Sequence, residues 1–181
     1  YMHALDFLNP THEYGVAFER GTCLELPSGS LFLVSGTASI DKVGQCVHRG
    51  DVVTQTGRLF LNIEKLLDST GATLKDVKYL IVYLRDVADY PQVQQYLRLR
   101  FPGLPFLVTE ARVCRPEWLI EVECMAVRAH DGVLKAILSG SLLETNQTSF
   151  DVSRSSPAVS AHGLGCSFGR SFSTPKVLFR F

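Results

Sequence analysis

With 181 residues, 46% of them hydrophobic and 20% charged, the chain suits one globular domain with a full core. Eighteen Lys and Arg balance eighteen Asp and Glu, which removes the basic footprint of a nucleic-acid binder. No apolar run approaches the ~18–20 residues needed to span a bilayer, and no secretory leader is visible.

Five cysteines (Cys23, Cys46, Cys114, Cys124, Cys166) are widely spaced without a C-x-x-C pair. This argues against a disulfide framework or zinc site and fits a reducing cytoplasm. The five histidines are scattered and show no ligand spacing. The chain opens on Tyr1 and not Met, as a fragment or processed form would.

Residues 1–17, with Pro10 and a mixture of His and aromatics, read as an irregular lead-in. Phe18 to Leu26 reads as a first strand, turned by Pro27-Ser-Gly-Ser30, and Leu31 to Ser35 as a short buried strand. That strand runs into Gly36-Thr-Ala-Ser-Ile-Asp41, where small residues allow a bend or close backbone approach. Residues 42–50 form a loop or short hairpin.

Asp51 is a good helix N-cap. Val52, Thr56, Leu59, Ile63, Leu66 and Leu67 follow as one apolar stripe, so a helix is expected to about Ser69, stopped by Gly71. Val77 to Asp86 alternates as a strand: Leu80, Val82 and Leu84 on one face, Tyr79, Ile81, Tyr83 and Arg85 on the other. Asp89, Tyr90 and Pro91 open a second helix, with Asp89 as its cap and Val93, Tyr96, Leu97 and Phe101 as its buried side. A further strand is expected from Pro105 to Val113.

The second half of Arg112 to Val127 alternates most strictly. Trp118, Ile120, Val122, Cys124 and Ala126 make a core face. Leu119, Glu121, Glu123 and Met125 make the opposite one, with the two carboxylates about 6.5–7 Å apart along the strand. Such a pair is either the solvated face of an antiparallel sheet or the lining of a pocket, where a carboxyl of raised pKa works as general acid or base. The flanking Leu119 and Met125 point to partial burial, with Arg112 and Arg115 as candidate ion-pair partners.

The element order is β-β-α-β-α-β-β, a single sheet with two helices on one face. The other face holds Tyr79, Tyr83, Arg85, Glu121 and Glu123, and self-association is the natural way to cover it. From about residue 131 the composition changes: residues 132–181 hold ten serines, two acidic and five basic residues. They read as a disordered or loosely docked tail. Asn146-Gln-Thr148 matches a glycosylation sequon there that a cytoplasmic chain would not use.

Four stretches in order carry a resemblance over about residues 18–130: Val34-Ser-Gly-Thr-Ala-Ser-Ile-Asp41, Gly50 to Thr56 with Asn62-Ile63, Val82-Tyr-Leu-Arg-Asp86, and Ile120-Glu-Val-Glu-Cys-Met-Ala-Val-Arg128. Together they resemble the Rid (YjgF-like) family of reactive-intermediate deaminases. The resemblance implies an α+β, chorismate-mutase-like fold and a homotrimer with clefts between subunits. It also implies hydrolysis of enamines or imines to a 2-keto acid and ammonia, without metal or organic cofactor. Glu121 matches the family's acid/base glutamate, and Ser35-Gly36 its strand-end motif. The family's carboxylate-clamping arginine has no counterpart: Leu107 stands where it is expected, and Arg112 or Arg115 are the candidates to replace it.

Cys114-Arg-Pro-Glu-Trp-Leu-Ile-Glu-Val-Glu123, with Ser35-Gly-Thr-Ala-Ser-Ile40, is similar to the C-terminal half of chorismatases. That branch implies that Glu121 protonates the substrate, that the Cys114 position influences the outcome, and that Arg20 of Phe18-Glu-Arg20 contacts a carboxylate. The chorismatases' N-terminal half has no counterpart in this chain, as expected of a truncated member.

The residues themselves favour Cys114 as a small buried hydrophobe over a nucleophile, since no base lies near it in sequence. Arg115 suits an ion pair with Glu121 or Glu123 as well as it suits substrate binding. The expected site is therefore Glu121 as proton carrier, Arg115 or Arg20 on the carboxylate of a small metabolite, and Ser35, Gly36 and Cys114 around it. Three activities compete: enamine or imine deamination, chorismatase-like hydrolysis of an enolpyruvyl ether, and non-catalytic metabolite binding or interaction on the same scaffold, which the missing arginine at Leu107 motivates.

Overall fold

Five strands and two α-helices follow in the expected order, in a computed structural model that describes residues 1–130. The Ser-rich stretch, its sequon and Cys166 lie outside the described residues. The elements are β1 (Gly21–Leu26), β2 (Gly29–Ala38), α1 (Val52–Asp68), β3 (Val77–Leu84), α2 (Tyr90–Arg100), β4 (Phe106–Glu110) and β5 (Ile120–Ala129). The strands form one sheet in the order β1-β2-β5-β3-β4. All pairings are antiparallel except β3 with β4, which α2 joins as a crossover. This is the mixed sheet expected.

Burial follows the alternation. On β5, Ile120, Val122, Cys124 and Ala126 are buried, as are Leu80, Val82 and Leu84 on β3. The whole α1 stripe from Val52 to Leu67 joins them. Each such Leu, Ile or Val contributes ~1.5–3 kcal/mol by leaving water. Asp51 caps α1, its carboxylate accepting from the Thr54 amide at 3.0 Å. Phe60 joins α1 to α2 by packing on the Tyr96 and Phe101 rings, at 6.3 and 4.6 Å between centroids.

Four expectations need correction. The lead-in is irregular apart from a 3-10 turn at Thr11–Tyr14, but Met2 and Leu8 are wholly buried, so it is a part of the core. β1 starts at Gly21, because a bend at Arg20 interrupts the extended run from Phe18. β2 runs on to Ala38, because a bulge absorbs Ser35 and Gly36 without ending the ladder. Asp89 makes no side-chain cap: Asp86 accepts from the Ala88 amide at 2.8 Å and opens the 3-10 turn that leads into α2.

Two polar residues on the buried side of α1 hold the ends of strands. Asn62 donates to the carbonyls of Ala38 at 3.2 Å and Ile40 at 3.1 Å. Gln55 donates to Glu117 O at 2.9 Å and accepts from the Leu119 amide at 2.9 Å. Both are fully buried. α1 thus fixes the exit of β2 and the entry to β5, the two places where the candidate site residues lie.

Candidate active site

The bulge in β2 and the start of β5 meet on the sheet face away from the helices. The register with β5 shifts between Val34 and Thr37, so Ser35 and Gly36 stand outside the regular ladder. The Ser35 amide donates to Arg20 O at 3.0 Å, and its hydroxyl to Glu19 O at 2.6 Å, tying the bulge to the chain before β1. Gly36 lies against the Glu121 carboxylate so closely that a Cβ there would collide with Oε1. The obstacle is the far end of a flexible side chain and not backbone. Gly36→Ala is therefore expected to displace the carboxylate and lower turnover at least ~10-fold while costing less than ~1.5 kcal/mol of stability. Steady-state kinetics with a urea melt will check both halves, and unchanged turnover would remove Gly36 from the site.

Glu121 is half-buried, and its pKa is raised, by burial first and then by the negative charge of Glu123. Tyr83 faces Glu121 across the β3–β5 ladder. Its phenol is pushed up to about 12, mainly by burial and further by Glu123 and Glu121. The pair was expected to hold Arg112 or Arg115 as ionic partners. Among the described residues no basic side chain lies within salt-bridge distance of either glutamate. A half-buried carboxyl without a cation is easily protonated, as a proton carrier must be.

The turn between β4 and β5 explains where the cations go. Arg85 donates to the carbonyls of Trp118 at 2.7 Å, Val113 at 3.0 Å, and Arg115. Arg115 donates to Gly44 O at 2.7 Å and lies over the Trp118 ring at 5.4 Å. Its side chain therefore spans two loops and is not turned to Glu121. Cys114 is exposed, contrary to its expected burial, because it sits on the turn and not in a strand. Leu107 on β4 pairs with Ile81, which pairs in turn with Glu123, so it is half-buried on the same face, two strands away.

Arg20 is 7% exposed at the bend before β1, between the rings of Tyr14 at 5.6 Å and Phe18 at 5.7 Å. Its guanidinium reaches the Asn9 carbonyl at 3.4 Å, towards the N-terminal segment. The fold thus brings Ser35, Gly36 and Glu121 together, with Arg20 joined through its backbone. The side chains of Arg115 and Cys114 lie on the adjoining turn.

Sequence reasoning passed over Gln55 and Arg85 as the residues that fix this turn. Gln55 carried a signal, a polar group on the buried side of α1; Arg85, on the strand face away from the core, carried none. Among the described residues no group of His, Cys, Asp and Glu is placed to hold a metal. No described helix is long and apolar enough to cross a membrane.

A five-stranded mixed sheet under two helices, with a glutamate at a bulge, defines an α+β domain of the Rid type. Residues 18–128 match the family described as Endoribonuclease L-PSP, and the chain belongs to that YjgF/Rid family. It is 34% identical over 103 residues to the 3-aminoacrylate deaminase RutC of Acinetobacter baylyi, covering 54% of this chain and 79% of that protein. Among solved structures, a chorismatase matches at 27% identity with a TM-score of 0.57. The match covers 61% of this chain but 36% of the chorismatase, little more than a third of its length. The E. coli YjgF gene product matches in fold at 20% identity and a TM-score of 0.51, over 62% of this chain and 88% of its own.

Proposed function

We propose that this chain is a hydrolase of small carboxylate metabolites, releasing ammonia from an enamine or imine to leave an oxo acid. The observation that carries the reading is Glu121: half-buried, without a cationic partner among the described residues, held against Gly36, and with its pKa raised. Protonated, it donates to the enamine carbon; ionised, it takes a proton from the water that attacks the resulting iminium carbon. Glu121 returns that proton to the carbinolamine nitrogen, ammonia leaves, and the hydroxyl proton passes to the Glu121 carboxylate as the carbonyl forms, which restores the acid. Arg115 or Arg20 holds the carboxylate after leaving its present carbonyl partner, Gly44 O or Asn9 O, with Ser35, Gly36 and the backbone of Cys114 orienting it.

The likeness to a 3-aminoacrylate deaminase supports the substrate class. The apolar open face of the sheet supports a homotrimer in which a neighbouring copy closes the cleft over Glu121, and the thiol usage supports a cytoplasmic protein engaged in metabolite repair. The test is ammonia release from 3-aminoacrylate and from 2-iminopropanoate generated in place. Acceleration over the spontaneous rate, lost on mutating Glu121, is the expected result. An unchanged rate with both excludes deamination.

The chorismatase likeness, with the run from Cys114 to Glu123, favours a second reading in which Glu121 protonates the enolpyruvyl ether of chorismate and water releases pyruvate. Loss of chorismate absorbance with pyruvate formation distinguishes it. If neither substrate class turns over while a carboxylate still binds the Glu121→Gln protein, a non-catalytic binding role takes its place.

A further inference from the structure

We propose that Tyr83 is a positioning residue of the site: its phenol holds Glu123 and so leaves Glu121 as the carboxyl that delivers the proton. The role rests on Glu121 as the proton carrier and adds what selects it from a pair of like groups. Two carboxylates stand on one strand face, with no cation within salt-bridge distance of either among the described residues. Repulsion favours one proton shared by such a pair, but the repulsion itself is symmetric and does not choose the holder.

The register of β3 with β5 breaks the symmetry. Tyr83 pairs with Glu121, and Ile81 with Glu123, on the face away from the helices. A phenol is long enough to overshoot the residue directly opposite, ~4.5–5.5 Å away between Cβ atoms, and to reach the diagonal one at ~7–8 Å. Tyr83 is half-buried and bonds to Glu123; burial first, and then that bond, push its phenol up to about 12. It therefore stays protonated and acts as a donor at every working pH. Glu121 has no such donor: burial and the Glu123 charge are what raise its pKa.

The neighbouring elements bring no competitor. From β2, Gly36 lies against Glu121 and carries no side chain. On β4 the partner of Tyr83 is Thr109, which is uncharged. Arg85, just past the end of β3, gives its guanidinium to the carbonyls of Val113, Arg115 and Trp118.

The test is a carboxyl ¹³C titration of the full chain and of Tyr83→Phe, which removes one oxygen and keeps the ring. In the parent chain the step at higher pH is expected on Glu121 alone. In Tyr83→Phe the ratio of the two singly protonated forms is expected to shift ~10-fold towards Glu123, about the worth of one hydrogen bond to a charged group. The step then divides between both carboxyls, and kcat falls ~3-fold while KM stays within ~2-fold. In a Glu123→Gln chain the same Tyr83 change is expected to leave the Glu121 step in place, which a role in packing alone would not. A step confined to Glu121 with and without the hydroxyl, or one already divided in the parent, overturns the proposal. So does a Tyr83 effect of equal size in the Glu123→Gln chain. If Glu121→Gln abolishes turnover while Tyr83→Phe leaves the titration unmoved, only the role of Tyr83 falls. If no substrate turns over, it falls together with Glu121 as proton carrier.

Discussion

Glu121→Gln is expected to lower kcat about 10²–10⁴-fold, the usual worth of a positioned general acid or base, or ~2.7–5.5 kcal/mol of barrier. The amide keeps the shape beside Gly36 but carries no exchangeable acid proton, so the loss is one of chemistry and not of packing. Stability moves the opposite way. The folded state raises the pKa of Glu121, so its contribution to stability is full below the unfolded carboxyl value and is lost as pH rises through the folded one. The neutral amide has no such loss. At pH 7 the variant is therefore expected to melt at or above the parent temperature, and below pH 4 the difference narrows. The same shift makes acid-dependent turnover fall as pH rises through the Glu121 value. Replacing Glu123 by Gln moves that fall to lower pH, since the Glu123 charge adds to the raised pKa. Measured pH profiles of kcat/KM and paired melts separate these effects. A Glu121→Gln protein that turns over normally removes the mechanism.

The elements were legible in the sequence because their signals are local. The alternation from Ile120 to Ala126 and the stripe from Val52 to Leu67 each need only a core on one side, and the structure supplies it there. Glu121 was not singled out that way: the alternation shows two carboxylates on one strand face, and only the family resemblance chose Glu121 over Glu123 as the proton carrier. What sequence could not show was pairing at a distance. Arg85, Gln55 and Asn62 bond to carbonyls 22 to 62 residues away, and no spacing rule encodes which carbonyl needs a donor. Arg115 was expected at the glutamates because it is near them in sequence. The turn instead carries it to Gly44, 71 residues away. The lead-in was misjudged in another way: Met2, Ala4, Leu5, Phe7 and Leu8 are apolar but follow neither a strand nor a helix period, so nothing in the pattern marks Met2 and Leu8 as the two that are buried.

Leu33→Glu is expected to turn a self-associated protein into a monomer and to abolish turnover with it. Leu33 lies at the middle of β2, 43% exposed on the face away from the helices, opposite Met125 on β5, with Tyr79 beyond it on β3. Leu24 at 44% and Val127 at 36% exposure extend the same apolar surface, and Ile81 and Leu107 carry it towards Glu123. Seven apolar side chains on one sheet face are more than a monomer normally leaves in water. A carboxylate placed among them gains full hydration only if the copies separate, and in a closed interface it costs several kcal/mol. Light scattering on the eluting protein reads the mass. Turnover gives the sharper reading, because Leu33 does not touch Glu121, so a monomeric variant that stays folded yet loses activity places part of the cleft on the neighbouring copy. A parent chain that is already monomeric and active would put the whole site within one subunit, and the homotrimer with its shared cleft would fall.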